Sequence, residues 1–169
     1  MKVSVIMPVE RAGGDAERAI ASVLAQHAPF PFELIVVSAS PINKTGVRNV
    51  VEINRNPATR RNRAVSGAKG EILAFIDDDA TADPLWLSTA IRYLSEFPKV
   101  VALGGPDPAP TDSVTAELIS ETLLATPLIG SGIACHENRP GIFPIKRASD
   151  IALVNLFVRR VAFSGLYRV

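Results

Sequence analysis

The sequence predicts an α/β fold built on a mostly parallel sheet with helices on both faces. Two observations predict it. Short apolar runs alternate with stretches of helical spacing along most of the chain, and those runs are apolar on both faces, as strands covered from both sides must be. With 169 residues the chain is long enough for one domain with a continuous core, and nothing requires a second. Hydrophobic residues at 47% and charged residues at 21% exclude a disordered, collagenous or disulfide-stapled chain.

Lys2 to Val9 reads as a central strand, ended by Gly13 and Gly14. Asp15 is placed to cap a helix over Ala16 to Gln26, where Ala16, Ala19, Ile20, Val23 and Leu24 form one apolar stripe. Phe32 to Val37 is the second strand, a polar loop follows, and Val50 to Ile53 reads as a short third strand. Pro57 opens a helix with a face of Ala58, Arg61, Val65 and Ala68, closed by Gly70 as a C-terminal cap. Ile72 to Ile76 is the next strand. Asp83 and Pro84 start a helix that runs to about Phe97, and Val100 to Leu103 is another buried strand. Beyond Gly105, Thr111 to Thr126 reads as a helix, Pro127 to Ile145 as a loop, and Ile151 to Val158 as a returning strand.

The formal charge of +1, from 18 basic and 17 acidic residues, supplies no global field to draw in nucleic acid or an anionic membrane, so phosphate binding must be local. Cys135 stands alone, with neither an internal disulfide partner nor a CxxC zinc pattern, and reads as a small buried hydrophobe. Val3 to Val9 is too short and too closely followed by charge to be a signal sequence, and the longest apolar stretches are broken by Glu121, Pro127, Arg159 and Arg160. The expectation is a cytoplasmic protein, with peripheral membrane contact left open.

Ligands of open α/β sheets lie beyond the carboxyl ends of the strands, so Pro8 to Glu10, Ser38 to Ser40 and Asp77 to Asp79 hold the chemistry. If the chain stays extended through the aspartates, Asp77 and Asp79 point together and Asp78 points away. Close carboxylates repel, and a hard cation relieves that repulsion, so the pair suits Mg2+ or Mn2+ whose open positions a diphosphate would fill. The competing reading is a polar strand end or a helix cap, weakened because Asp83 already serves as the cap.

Several stretches resemble the family 2 glycosyltransferases in the expected order. VSVIMPVE, Val3 to Glu10, looks like that family's opening strand; ASVLAQ, Ala21 to Gln26, the end of its first helix; and ELIVV, Glu33 to Val37, its second strand. RRNRAVSGAKGEILAFIDDDA, Arg60 to Ala80, is similar to its Arg-Asn, Ala-x-Gly-Glu and strand-acidic block, the most specific match. The resemblance implies a GT-A type, Rossmann-like fold, with residues 1–105 as the nucleotide-sugar-binding half and 106–169 as part of the acceptor side. It also implies transfer of a sugar from a nucleotide-diphosphate donor to the hydroxyl of a glycan or lipid-linked acceptor, with Mn2+ or Mg2+ as cofactor. By the same resemblance Pro8, Val9 and Glu10 border the base and ribose, and Arg61 approaches the nucleotide or its phosphates. Asp77 and Asp79 are then the DxD pair for ribose and metal, with Asp78 among the donor-binding residues.

Two departures stand out. Ser38 occupies the position where the family usually has a base-reading aspartate; serine can hydrogen-bond but brings no charge, which leaves the choice of nucleobase open. Further on, Ser149 to Val169 looks like the family's returning strand, but Tyr167 and Arg168 stand where an acidic residue follows, and no later carboxylate supplies the acceptor's base. No catalytic base is assigned; His136 could serve as base or ligand, although a lone His in a Gly and Pro-rich loop is ordinarily surface. Three alternatives therefore stand beside the transferase: a catalytically silent nucleotide-sugar-binding module, a nucleotidyltransferase, disfavoured by the weakly basic loop Glu10 to Gly14, and a dehydrogenase, disfavoured by the lack of GxGxxG. A homodimer that covers the cleft left by the missing acceptor segment is a further expectation.

Overall fold

The computed structural model describes residues 1–105 and 153–162. The expected helix Thr111 to Thr126 and loop Pro127 to Ile145, with Cys135 and His136, lie outside the described residues. In chain order the elements are β1 (Val3–Pro8), α1 (Gly14–Leu24), β2 (Phe32–Ser38), β3 (Val47–Val51), α2 (Pro57–Gly67), β4 (Ile72–Phe75), α3 (Trp86–Glu96), β5 (Ala102–Gly104), a short 3-10 turn (Leu153–Asn155) and β6 (Leu156–Arg159). One compact unit comprises Met1–Leu103 with Phe157–Val169, and a second comprises Gly104–Leu156.

The strands form one sheet in the order β3-β2-β1-β4-β6-β5. β1 pairs in parallel with β2 on one side and with β4 on the other, and β2 pairs in parallel with β3. The chain thus winds outward from β1 to β3, returns through α2, and continues from β4 on the opposite side. That return makes the gap between β1 and β4 the topological switch point, where α/β sheets hold their ligands.

Alternation along each strand divides the core between the two faces. Val3, Val5, Met7, Leu34, Val36, Ile72 and Ala74 cluster with the apolar stripes of α1 (Ala16, Ala19, Ile20, Val23) and α3 (Leu87, Ala90, Ile91, Leu94). Ile6, Ile35, Val37, Leu73 and Phe75 are buried on the other face, where α2 packs against β1 and β2. Trp86 of α3 meets Phe157 of β6 with ring centroids 4.8 Å apart.

Several local expectations are corrected. α1 starts at Gly14 with Gly13 as its N-cap and no side-chain cap bond; Asp15 instead sits in the first turn, paired with Arg18 at 2.6 Å. Asp83 caps a turn rather than the helix: its carboxylate accepts the Leu85 N–H at 2.8 Å and its carbonyl accepts that of Trp86, where α3 begins. β3 begins three residues early, after a turn in which Gly46 adopts φ 82, a conformation that costs a side chain-bearing residue. α2 ends at Gly67 with Ala68 as C-cap, so Gly70 is no cap. The buried residues of α2 are Arg60 and Ala64, with Arg61 and Val65 half-buried beside them. The returning strand starts at Leu156, after the 3-10 turn.

Gly70 has a different role. A Cβ there would lie 2.4 Å from the Ser4 backbone nitrogen, so β4 can come alongside β1 only with glycine at this position. Around it the amino ends of the strands are locked by one carboxylate. Glu33 accepts from the Ser4 hydroxyl at 2.7 Å, the Lys69 N–H at 2.8 Å and the Arg48 guanidinium at 3.3 Å, while the Ser4 hydroxyl accepts from Gly70 N–H at 2.7 Å. Burial alone would push the Glu33 carboxyl up, but these bonds together outweigh it and hold it below its ordinary value.

Candidate functional site

At the carboxyl ends of the strands the backbone leaves the sheet at three neighbouring points. Pro8 closes β1 opposite Val37 and is buried; Val9 is also buried, and its N–H still donates to Val37 C=O at 2.8 Å, so β1 stays anchored until Glu10, which is exposed. From Glu10 the backbone N–H donates to the Asp78 carboxylate at 2.8 Å, which joins the ends of β1 and β4 directly across the switch point.

The aspartates do not continue the strand. β4 ends at Phe75 and the Ala80 N–H bonds back to Asp77 C=O at 3.3 Å, so Asp78 and Asp79 lie in a turn. Strand alternation therefore does not reach Asp78, which turns toward the end of β1 instead of standing apart. Its carboxyl is pushed above the ordinary aspartate value, first by burial, and further by the charges of Asp79 and Asp77, against the lowering effect of the Glu10 N–H. Asp77 is ion-paired with Arg61 from the second turn of α2. Asp79 is exposed.

Ser38 ends β2 with its side chain buried, 4% exposed. Its hydroxyl donates to Ser40 C=O at 2.7 Å and accepts from the Asn49 amide at 2.9 Å; the same amide donates to Val36 C=O at 3.1 Å. This ties the β2 end to β3 and leaves the hydroxyl proton engaged.

α2 delivers the cations. Asn56 caps it by accepting the N–H groups of Ala58 and Thr59, and Pro57 occupies the first turn, so its start is fixed beside the strand ends. Arg61 faces Asp77. Arg60, which the sequence reading passed over, is 1% exposed: its Nη1 donates to Val9 C=O at 2.6 Å and its Nε to Asn54 C=O at 2.9 Å. The spacing Arg60, Ala64, Ala68 was the available signal, since i and i+4 share a helix face and the two alanines are plainly inward. Arg60 Nη2 and Arg61 Nε are buried nitrogens without a hydrogen-bond partner.

Among the described residues no group of three or more His, Cys, Asp or Glu is arranged to hold a metal ion. Of the acidic turn, Asp79 is exposed and Asp77 shares its charge with Arg61. No described helix is long and apolar enough to cross a membrane.

A family model described as glycosyl transferase family 2 matches residues 4–150. A glucosyl-dolichyl phosphate glucuronosyltransferase of Haloferax volcanii is 32% identical over 120 residues, covering 62% of this chain and 38% of the relative. Among solved structures, S. aureus TarS 1–349 in complex with UDP-GlcNAc superposes with a TM-score of 0.56 at 23% identity, over 68% of this chain and 37% of that one. The mannosyltransferase PcManGT from Pyrobaculum calidifontis, in complex with GDP-Man and Mn2+, gives a TM-score of 0.65 at 20% identity over 98% of this chain and 46% of the other. At these identities the structures show a shared GT-A fold. The chain spans less than half the length of each of these proteins.

Proposed function

Because the chain belongs to glycosyltransferase family 2, we propose that it binds a nucleotide-diphosphate sugar at the carboxyl ends of β1 and β4 and serves metal-dependent transfer of that sugar to an acceptor hydroxyl. The observation that carries this reading is the junction at the switch point. Glu10 N–H on Asp78, and Arg61 on Asp77, tie the acidic turn to the end of β1 and to α2 at the edge of the sheet where the proposed donor crevice would lie.

In this reading Pro8, Val9 and Glu10 border the base and ribose, with Ser38 at the edge of the base. A base read there meets a neutral hydroxyl already committed to Ser40, so selectivity falls to the backbone and the surrounding shape. Arg61 orients Asp77 toward the ribose and lends positive charge toward the phosphates. Asp79, with Asp77, would hold Mg2+ or Mn2+, which when bound draws charge from the departing diphosphate. Two relatives' complexes, with UDP-GlcNAc and with GDP-Man and Mn2+, support a nucleotide-sugar partner. The acceptor is a glycan or lipid-linked hydroxyl, and its deprotonation is assigned to no described residue. Peripheral membrane contact and a homodimer belong to the same reading; light scattering at working concentration tests the dimer.

Thermal unfolding against a panel of nucleoside diphosphates and their sugars, with and without manganese, tests the site. A ligand at a hundred times its dissociation constant adds about 2.7 kcal/mol, a rise of about 5 to 10 °C for a domain of this size. The expected result is a manganese-dependent rise for one base that disappears in Asp79→Ala. No rise with any nucleotide removes the donor-site reading. A rise without turnover in the presence of acceptors identifies a binding module.

A further inference from the structure

Arg60 is the largest fully buried side chain among the described residues, and its charge is not neutralised in the usual way. A guanidinium does not lose its proton on burial. It is ordinarily buried only against a carboxylate, since an unpaired buried charge is costly. Here no ion pair joins Arg60 to a carboxylate among the described residues. Its partners are two backbone carbonyls, Val9 at 2.6 Å and Asn54 at 2.9 Å, and Nη2 has none.

One of those two carbonyls links Arg60 to the acidic turn. The peptide group between Val9 and Glu10 accepts from Arg60 through its C=O and donates to Asp78 through its N–H at 2.8 Å. One peptide group thus stands between a buried cation and a carboxylate, which puts the guanidinium within about 8 Å of the acidic turn. Glu10, Asp77, Asp78 and Asp79 bring four carboxylates to this end of the sheet, and Arg61 is already paired with one of them. Left to these groups, the crevice would repel a diphosphate.

We propose that Arg60 is the buried cation that sets the preference of this crevice for anionic ligands, acting through the Val9–Glu10 peptide without touching the ligand. The proposal rests on the donor-site reading above. A unit charge about 10 Å from an anion bound beyond the acidic turn, at an effective dielectric constant of about 20, would be worth about tenfold or more in affinity. Arg60 is a positioning residue in this scheme, because the same bond that carries its field also fixes Glu10 against Asp78.

Ligand-observed NMR titration of the full chain measures the affinities for a nucleoside diphosphate and for the uncharged nucleoside of the same base, in wild type, Arg60→Lys and Arg60→Gln. Arg60→Gln is expected to weaken the diphosphate about tenfold or more and leave the nucleoside within about threefold, while Arg60→Lys keeps the diphosphate within about threefold of wild type. Equal losses for both ligands in Arg60→Gln would reduce Arg60 to a structural clamp, and no loss for either would remove its role; both overturn the proposal while the donor site stands. Failure of wild type to bind any diphosphate overturns the donor-site reading and this proposal with it. Should Arg60→Gln lack a cooperative unfolding transition, wild type alone decides. A buried charge is screened little, so the preference for diphosphate over nucleoside is expected to survive a change from about 50 to about 500 mM salt; its collapse would assign it to exposed charges and overturn the proposal.

Discussion

Asp78 carries the tension of the site at the scale of one residue. It is held by the Glu10 N–H yet sits partly buried beside two other carboxylates, and its carboxyl is raised above the ordinary value. A carboxyl that binds its proton more tightly in the folded state adds stability below its unfolded value, and that stability is lost as pH rises through the folded one. Asp78→Asn keeps an oxygen to accept the Glu10 N–H and removes the charge. Its urea midpoint is expected to exceed that of wild type at neutral pH, with the difference vanishing in acid below the ordinary aspartate range. A lower midpoint at neutral pH would show that the charge itself stabilises the junction. Arg60 and Arg61 illustrate why such residues were only partly legible. Adjacent arginines look alike as letters, and only the register of α2 against β1 turns one into the wall and the other toward Asp77.

Element positions were legible where the apolar pattern is continuous, as in β1, β2 and β4, because strands covered on both faces have no polar alternative to hide them. β3 was misplaced because Arg48 and Asn49 interrupt it, and each is used by the fold: Arg48 binds Glu33 and Gly67 C=O, and Asn49 stitches Val36, Ser38 and Ile42 together. The caps of α1 and α3 were misjudged since Asp15 and Asp83 bond to near neighbours that propensity alone does not rank. Gly70 shows the same limit, for the glycine after a helix answers to Ser4 on a distant strand. Gly70→Ala forces a methyl against backbone that cannot move aside and is expected to cost about 2 kcal/mol or more, measured by chemical denaturation. Glu33 yields the opposite pH signature to Asp78. Its carboxyl is held below the ordinary glutamate value, so its contribution is present above that value and lost as pH falls through the folded one. Glu33→Gln is expected to lower stability at neutral pH and to converge with wild type on acidification; parallel pH curves would sink the assignment.

Across the whole molecule the order of strands and helices followed from the alternation of apolar runs, and the family resemblance extended that order to the acidic turn. What the letters could not show was the turn's departure from the strand, which needs the backbone bond from Ala80 to Asp77. The centre of the sheet, β1 between β2 and β4, is buried along its length. Its amides at Val5, Ile35 and Ala74 are expected to exchange most slowly with solvent, and faster exchange there than at α1 would contradict a single cooperative core. The Glu33 lock, at Ser4, and the Asp78 junction, at Glu10, stand at opposite ends of β1, roughly 20 Å apart along the chain. An engineer could therefore rewrite the side chains of Glu10 or Asp79, both exposed, without loosening the bonds that assemble the sheet. The fold carries, in effect, an editable rim on a fixed hub.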